Sequence, residues 1–282
     1  MTSQNNRRNR PILVSAHDLG GANQLLYATR KKNCYHYALT GPALQVARSL
    51  NLENVIKLNS INLADYSELY VASNLHEQYS DSLMKDALSR GNLRVTGFLD
   101  HWVNFDSRWI NPPHKVVVSD VRAYLAAFVH FGFRVRLRTN HYLKALKRSQ
   151  NMARPAIKLT TDFSVLVLLQ PLANDFRHTE SQGTCFCEAL FKFLEKNTVR
   201  NLNFREHVET DSTHCREYLA RHFSKTLFTV SEWKSGIESD LARAEIVIGM
   251  DSYALFIARK LGKLVYSLGG RRSMWSPKYP LL

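Results

Sequence analysis

The chain has 282 residues, 45% hydrophobic and 22% charged, and 38 Lys and Arg against 24 Asp and Glu give it a net charge of +14. This composition excludes a disordered tail protein and a disulfide-dense miniature domain, and the length suits one large domain or two smaller ones. The charge favours an anionic partner: nucleic acid, anionic lipid or a phosphorylated metabolite.

Residues 1–10, MTSQNNRRNR, are basic and polar with no apolar stretch behind them. They read as a flexible tail rather than a secretory signal, with contact to an anionic surface as the alternative. Strand-like apolar runs then fall at Ile12–Ala16, Tyr35–Leu39, Glu68–Ala72, Arg94–Leu99, Lys115–Ser119 and Arg134–Arg138. Helical patterns lie between several of them, at Gln24–Lys31, Ala43–Leu50 and Tyr79–Arg90. A basic helical stretch, His141–Gln150, leads into Gln150–Pro155, which reads as a linker. A second series follows, with strands at Phe163–Leu169, Asn201–Arg205, Leu227–Val230, Glu245–Gly249 and Leu264–Leu268. Its helices are expected at Thr184–Lys196, Thr213–His222, Gly236–Arg243 and Tyr253–Leu261. Strands alternating with helices predict α/β architecture with parallel sheets. The central break predicts two Rossmann-like domains, 11–150 and 156–282, facing across a cleft. No run approaches the ~20 apolar residues of a membrane span. The four cysteines, Cys34, Cys185, Cys187 and Cys215, are too few and too irregularly spaced for a disulfide framework. Reduced thiols are therefore the expectation, and the chain reads as cytoplasmic.

In open α/β sheets, ligands lie beyond the carboxyl ends of the strands, which ranks the polar residues found there. The first strand runs into His17-Asp18-Leu19-Gly20-Gly21-Ala22-Asn23. A strand, a Gly-Gly turn and a helix present free N–H groups to a phosphate or a polar sugar, with Gly20, Gly21 and Asn23 lining the approach. The alternative is a tight turn with no ligand. The pattern is neither G-x-G-x-x-G nor a Walker A loop, which disfavours a dinucleotide cofactor and the usual ATPase. His17 and Asp18 form a candidate general-base pair. A second candidate is Asp100-His101, where a carboxylate can orient an imidazole and raise its basicity. Trp102 and Phe105 beside it can stack on a sugar or base, or else belong to the core. Asp120 and Asn140 read as helix N-caps. In the second series, Arg205 and His207 end a strand and suit a diphosphate, against a plain surface pair. Gly249-Met250-Asp251-Ser252 repeats the strand, tight turn and helix, so that Ser252 and the turn's N–H groups face a phosphate or simply cap the helix. No H-E-x-x-H or D-x-D motif marks a metal site.

The run from Asp240 through Ser252 to Leu261-Gly262-Lys263-Leu264-Val265 resembles the nucleotide-binding half of GT-B-type proteins, the glycosyltransferases and UDP-N-acetylglucosamine 2-epimerases. Phe204-Arg205-Glu206-His207 is similar to their R-x-H-P strand end, with Val208 in place of the proline. The His17–Asn23 turn is similar to their acceptor-side loop. The acidic residue that holds the nucleotide ribose in many such proteins falls near Phe256 or Ile257, and neither is acidic. The resemblance implies a UDP- or CMP-linked sugar as co-substrate and no tightly bound cofactor. It implies a glycan or lipid-linked acceptor, an inverting, metal-independent transfer, and a role in bacterial surface polysaccharide or glycan synthesis. Asp100, or His17 with Asp18, is then the base, and Arg205, His207 and Ser252 hold the donor phosphates. A 2-epimerase or hydrolase on the same donor is the alternative, and a non-catalytic polyanion-binding protein on the same fold is a third reading. Nucleic acid is disfavoured because the basic residues are dispersed and no helix-turn-helix, zinc-finger or RNP pattern occurs. The denser basic stretch Arg134–Arg148 allows peripheral contact with an anionic inner membrane face, against a solvated helix face.

Overall fold

The computed structural model describes residues 10–72, 78–91, 93–100, 102, 105, 109, 111–149, 162–169, 190–208, 212–223, 226–250, 252–267, 274 and 277–280. The chain divides into two compact units, Met1–Lys144 and Ala145–Leu282. The linker expected at Gln150–Pro155 lies outside the described residues, apart from its neighbours up to Ser149.

The first unit is built on β1 (Ile12–Ala16), β2 (Tyr35–Leu39), β3 (Glu68–Ala72), β4 (Arg94–Phe98), β5 (Lys115–Val118) and β6 (Val135–Leu137). They form one sheet in the order β2-β1-β3-β4-β5-β6, and every pairing is parallel. Parallel neighbours cannot be joined by a hairpin, so each connection crosses over the sheet. α1 (Leu19–Thr29) returns the chain to β2, α2 (Gly41–Ser49) leaves β2, α3 (Gln78–Ser89) joins β3 to β4, and α4 (Val121–Phe131) joins β5 to β6. α5 (His141–Ser149) follows β6, and the division between the units falls within it.

Burial on both faces explains why these strands are short continuous apolar runs rather than alternating ones. Val14 and Ala16 pack with Leu25 and Leu26 of α1 and with Ala43 and Val46 of α2. An aromatic row, Tyr35, Tyr37, Tyr70 and Phe98, crosses the sheet with ring centroids 5.7–6.4 Å apart. Burial pushes the Tyr35, Tyr37 and Tyr70 phenols above their ordinary range.

The second unit has β7 (Asp162–Leu168), β8 (Thr198–Arg205), β9 (Phe228–Ser231), β10 (Ile246–Gly249) and β11 (Leu264–Ser267). The order is β11-β10-β7-β8-β9, again all parallel. The first strand of this unit is therefore central, and the chain builds outward from it first to one side and then to the other. The described helices are residues 190–196, α6 (Ser212–His222), α7 (Glu238–Arg243) and α8 (Tyr253–Lys260). Phe204 and Phe223 are fully buried and stack with Phe191 and Phe228, forming the centre of this core. A register shift at Phe163/Ser164 interrupts the β7–β8 ladder. There the Glu245 carboxylate accepts the Ser164 N–H at 2.9 Å.

One sequence expectation is corrected at this level. Gly20 and Gly21 do not form a turn, because α1 begins at Leu19 and both glycines lie in its first turn. Buried Leu25 and Leu26 hold the helix against the sheet, and this packing outweighs the ~1 kcal/mol that each glycine costs a helix. The sequence reading also missed α4.

Gly97 in β4 allows Trp109 and Pro113 to lie on the strand: a Cβ there would stand 2.6 Å from the indole and 2.8 Å from the proline ring. Gly97→Ala is expected to cost about 1–3 kcal/mol through overpacking, seen as a lower urea midpoint at unchanged slope. An unchanged midpoint would show that Trp109 is not held against β4.

Candidate functional site

Because all strands of a unit run the same way, the residues that follow them collect at one edge of each sheet. At the carboxyl edge of the first sheet, the chain leaves β1 through His17 and β2 through Thr40. The two turns are tied together. Thr40 N–H donates to Ala16 O at 3.1 Å and Ala43 N–H to His17 O at 2.9 Å. His17 Nδ1 and Thr40 Oγ1 are 2.8 Å apart. The imidazole lies directly over Gly41, whose φ of +48° and lack of a side chain both favour glycine. Asp18 is the N-cap residue of α1, in extended backbone, and its side chain makes no capping bond. The hydrogen bond described for the His17 ring is thus to Thr40, not to Asp18.

Asp100 follows β4 and is buried. Its carboxylate lies against Gly20, so close that a Cβ at Gly20 would overlap Oδ2. This brings a carboxylate from one loop to the first turn of α1, where N–H groups lack helical partners. The structure thus brings His17, Asp18, Gly20 and Asp100 to one edge. Gly21 is buried and Asn23 half-buried in the same helix. His101 lies outside the described residues. Trp102 is a core residue, and its indole Nε1 donates to Asp120 at 3.2 Å. Phe105 packs against Phe131 and His130. Asp120 caps α4 by accepting from the N–H groups of Arg122 and Ala123 at 2.9 and 3.0 Å. Asn140 Oδ1 caps α5 through Leu143 N–H at 2.8 Å. Both caps follow the sequence reading.

In the second sheet, the direction of chain growth reverses between β7 and β10, and a crevice at such a point is where open α/β sheets take ligands. Gly249 ends β10 opposite Leu168, and a Cβ there would stand 3.1 Å from Leu168 Cβ and 3.3 Å from its carbonyl oxygen. The glycine lets the two strand ends close up. Ser252 then caps α8, its Oγ accepting from Leu255 N–H at 3.4 Å. Asp251 lies outside the described residues. His207 follows β8, on the other side of β7, and is half-buried.

Arg205 is used differently from the sequence expectation. Its guanidinium is buried, donating to Asp240 Oδ2 at 2.5 Å and to Trp233 O at 2.9 Å. Ser231 Oγ donates to the same Asp240 oxygen at 2.7 Å. An arginine neutralised and enclosed in this way is a brace between β8, β9 and α7, not a phosphate clamp. The sequence reading missed Asp240 and Glu206. The Glu206 side chain is fully enclosed after β8, with Arg216 Nε 3.7 Å from its Oε1. Phe256 and Ile257, where the ribose-binding acid was expected, are both buried. Among the described residues, no three His, Cys, Asp or Glu side chains gather as a metal site. No described helix is long and apolar enough to cross a membrane.

No protein-family model matches the chain, and no curated protein matches it by sequence. Solved structures do match. MnaA from S. aureus, solved with UDP, aligns at TM-score 0.65 and 9% identity over 92% of this chain and 79% of its own. The UDP-GlcNAc 2-epimerase of Methanocaldococcus jannaschii, solved with UDP-GlcNAc and UDP, aligns at TM-score 0.63 and 13% identity over 91% and 83%. HepE from Anabaena, solved with UDP-glucose, aligns at TM-score 0.55 and 11% identity over 90% and 80%. The fold is of the GT-B type. At these identities the likeness concerns the fold alone. The all-parallel sheets are as the resemblance implied, while the strand-end arginine is enclosed against Asp240.

Removing Asp240 leaves the Arg205 guanidinium buried without its counter-charge. Asp240→Ala is therefore expected to lose about 3–5 kcal/mol in denaturant unfolding, and Arg205→Met with Asp240→Leu much less. If Asp240→Ala is as stable as the parent, Arg205 is not the brace described.

Proposed function

We propose that this protein binds a nucleotide-activated sugar and acts on it as a glycosyltransferase-like enzyme. The observation that carries the reading is the turn at the reversal point of the second sheet. There Gly249 closes β10 against β7, and Ser252 opens α8. A helix start, whose dipole favours negative charge, with a hydroxyl beside it, suits a diphosphate. His207, on the other flank of β7, supplies a further donor. Arg205 acts indirectly, by fixing the ends of β8 and β9 from which that edge is built.

Holding the departing nucleoside diphosphate by preorganised donors supplies the electrostatic stabilisation that is usually the largest catalytic contribution. Transfer with inversion then needs one base to take the proton of the acceptor hydroxyl as it attacks the anomeric carbon. Asp100 fills that role, held in place against α1. His17 is the second candidate, its ring fixed by Thr40 and Gly41. The acceptor is a glycan or lipid-linked sugar. The donor is UDP-linked, in keeping with the UDP-bound proteins of the same fold. A second reading, epimerisation or hydrolysis of the same donor, is favoured by the similar structures that are named UDP-GlcNAc 2-epimerases.

Thermal unfolding in the presence of UDP, CMP, GDP, CDP, ADP and their sugar conjugates tests the reading. A ligand at ~100 times its Kd adds roughly 2.7 kcal/mol, a readily seen rise in Tm. The expected result is a selective rise with UDP or its conjugates that is lost in His207→Ala. No rise with any nucleotide on the folded parent overturns the proposal. Release of UDP from the bound conjugate without any acceptor would support the second reading over transfer.

A further inference from the structure

The opposite, amino-terminal edge of the first sheet carries a different chemistry. Strands β4, β5 and β6 all start there, and basic residues stand at those starts. Arg94, His114, Lys115, Arg134 and Arg136 line a cavity of about 470 Å³ together with Phe131 and Phe133. No carboxylate is among these lining residues. Glu68, beside Arg94 in the β3–β4 ladder, is the nearby acid. Its field does not offset the cations: the Lys115 ammonium is held below its usual range, first by burial and then by Arg138, Arg94 and Arg136. A cavity walled by one sign of charge concentrates counter-ions of the other sign.

The second observation is the outer face of α4. Val121, Leu125 and Val129 recur at every fourth residue, so they share one face of the helix. They are 62, 45 and 75% exposed, and Phe133, one step further along, is 86% exposed. The Phe133 ring meets Phe128 edge-on at 5.6 Å, and Leu137 on edge strand β6 is also exposed. A solvent-facing helix side is ordinarily polar, and a contiguous apolar strip of this kind marks an interaction surface. Phe133 belongs to both features, since it ends the apolar row and lines the cationic cavity.

Charge decides what covers this face. A second copy packed about a two-fold axis would set the same cations against each other. Nucleic acid would satisfy the cations but leave Val121, Leu125 and Val129 in water. A bilayer surface bearing anionic phospholipids satisfies both. Its phosphate groups suit the Arg/Lys cavity, and the headgroup–acyl boundary takes the apolar row, with the helix lying in the interface. We propose that α4, edge strand β6 and the cationic cavity between them form a docking face for anionic phospholipid membranes. This face lies wholly in the first unit and is independent of the nucleotide reading.

Co-sedimentation of the full chain with vesicles tests it. The protein is expected to pellet with mixed phosphatidylglycerol–phosphatidylcholine vesicles and not with phosphatidylcholine alone, and added salt should release it. Val129→Ser with Phe133→Ser is expected to lower partitioning by about tenfold or more, from the apolar area withdrawn. Arg94→Gln with Arg134→Gln should lower it as well. Arg48→Gln with Arg90→Gln removes the same charge from exposed sites on the same unit and should leave binding near the parent level. All the substituted side chains are exposed, so each variant should retain the parent's circular dichroism and Tm. The proposal fails if the folded parent does not pellet with anionic vesicles, or if the control pair weakens pelleting as much as the cavity pair. It also fails if the cavity binds glycerol phosphate or an oligonucleotide while vesicles are ignored. A concentration-dependent dimer that Phe133→Ser abolishes, with no vesicle binding, would assign the face to a second copy instead.

Discussion

Parallel pairing is the constraint on which the rest of this structure depends. Every strand pair in both sheets runs parallel. Every strand of a unit therefore leaves by one edge, and the chain must return over a face to start the next. Two consequences follow. The covered faces are largely apolar, and most of the polar residues with a candidate role stand at the edges. The edges differ in what they receive. The carboxyl edge collects residues that follow strands, and the amino edge collects residues that precede them. His17, Asp100 and Asp120 come together in the first way, and Arg94, Lys115 and Arg134 in the second.

Within that frame, glycines set how closely the pieces approach. Gly20 makes room for the Asp100 carboxylate, Gly41 for the His17 ring, and Gly249 for the end of β7. Each joins two strand-end loops that are distant in sequence. The packing explains why a helix with two glycines in its first turn forms at all. Their cost in helix propensity is local, whereas Leu25, Leu26 and the carboxylate against Gly20 act through tertiary contact. The Arg205–Asp240 pair does the same for the second unit, joining the ends of β8 and β9 to α7 at the cost of removing a guanidinium from ligand duty.

The strands were legible because a both-faces-buried strand is a short run of apolar residues, and Ile12–Ala16, Tyr35–Leu39 and Glu68–Ala72 are bounded in sequence as they are in space. The helices were legible where their outer side was polar. α4 was not, because Val121, Leu125 and Val129 place apolar residues on the solvent side as well as the buried side. Its periodic signal is thereby erased, and the feature that hid the helix is the one that gives it an interaction face. The strand-end positions of His17, Asp100, His207 and Ser252 were also legible, since they follow from strand ends alone. What each side chain does there was less so. Arg205 and Asp240 are 35 residues apart, and nothing in the local pattern around Arg205 reports that its charge is already matched.

The same reasoning bears on the missing ribose-binding acid. Phe256 and Ile257 occupy the positions where the resemblance places it, and a phenylalanine and an isoleucine there suggest at first a binding site that has decayed. Both side chains are buried, and Phe256 stacks on Tyr253 at 5.8 Å. A carboxylate in the buried space that either side chain fills would give up its hydration at a cost of several kcal/mol, even with the Lys260 ammonium 5.4 Å from the Phe256 ring. These positions therefore serve the packing of α8 on its sheet, and an acid is absent because the helix turns that face inward. The half-exposed residues of the first turn of α8 are Ser252 and Ala254. Among the described residues, the groups this turn offers to solvent are thus a hydroxyl and a methyl group.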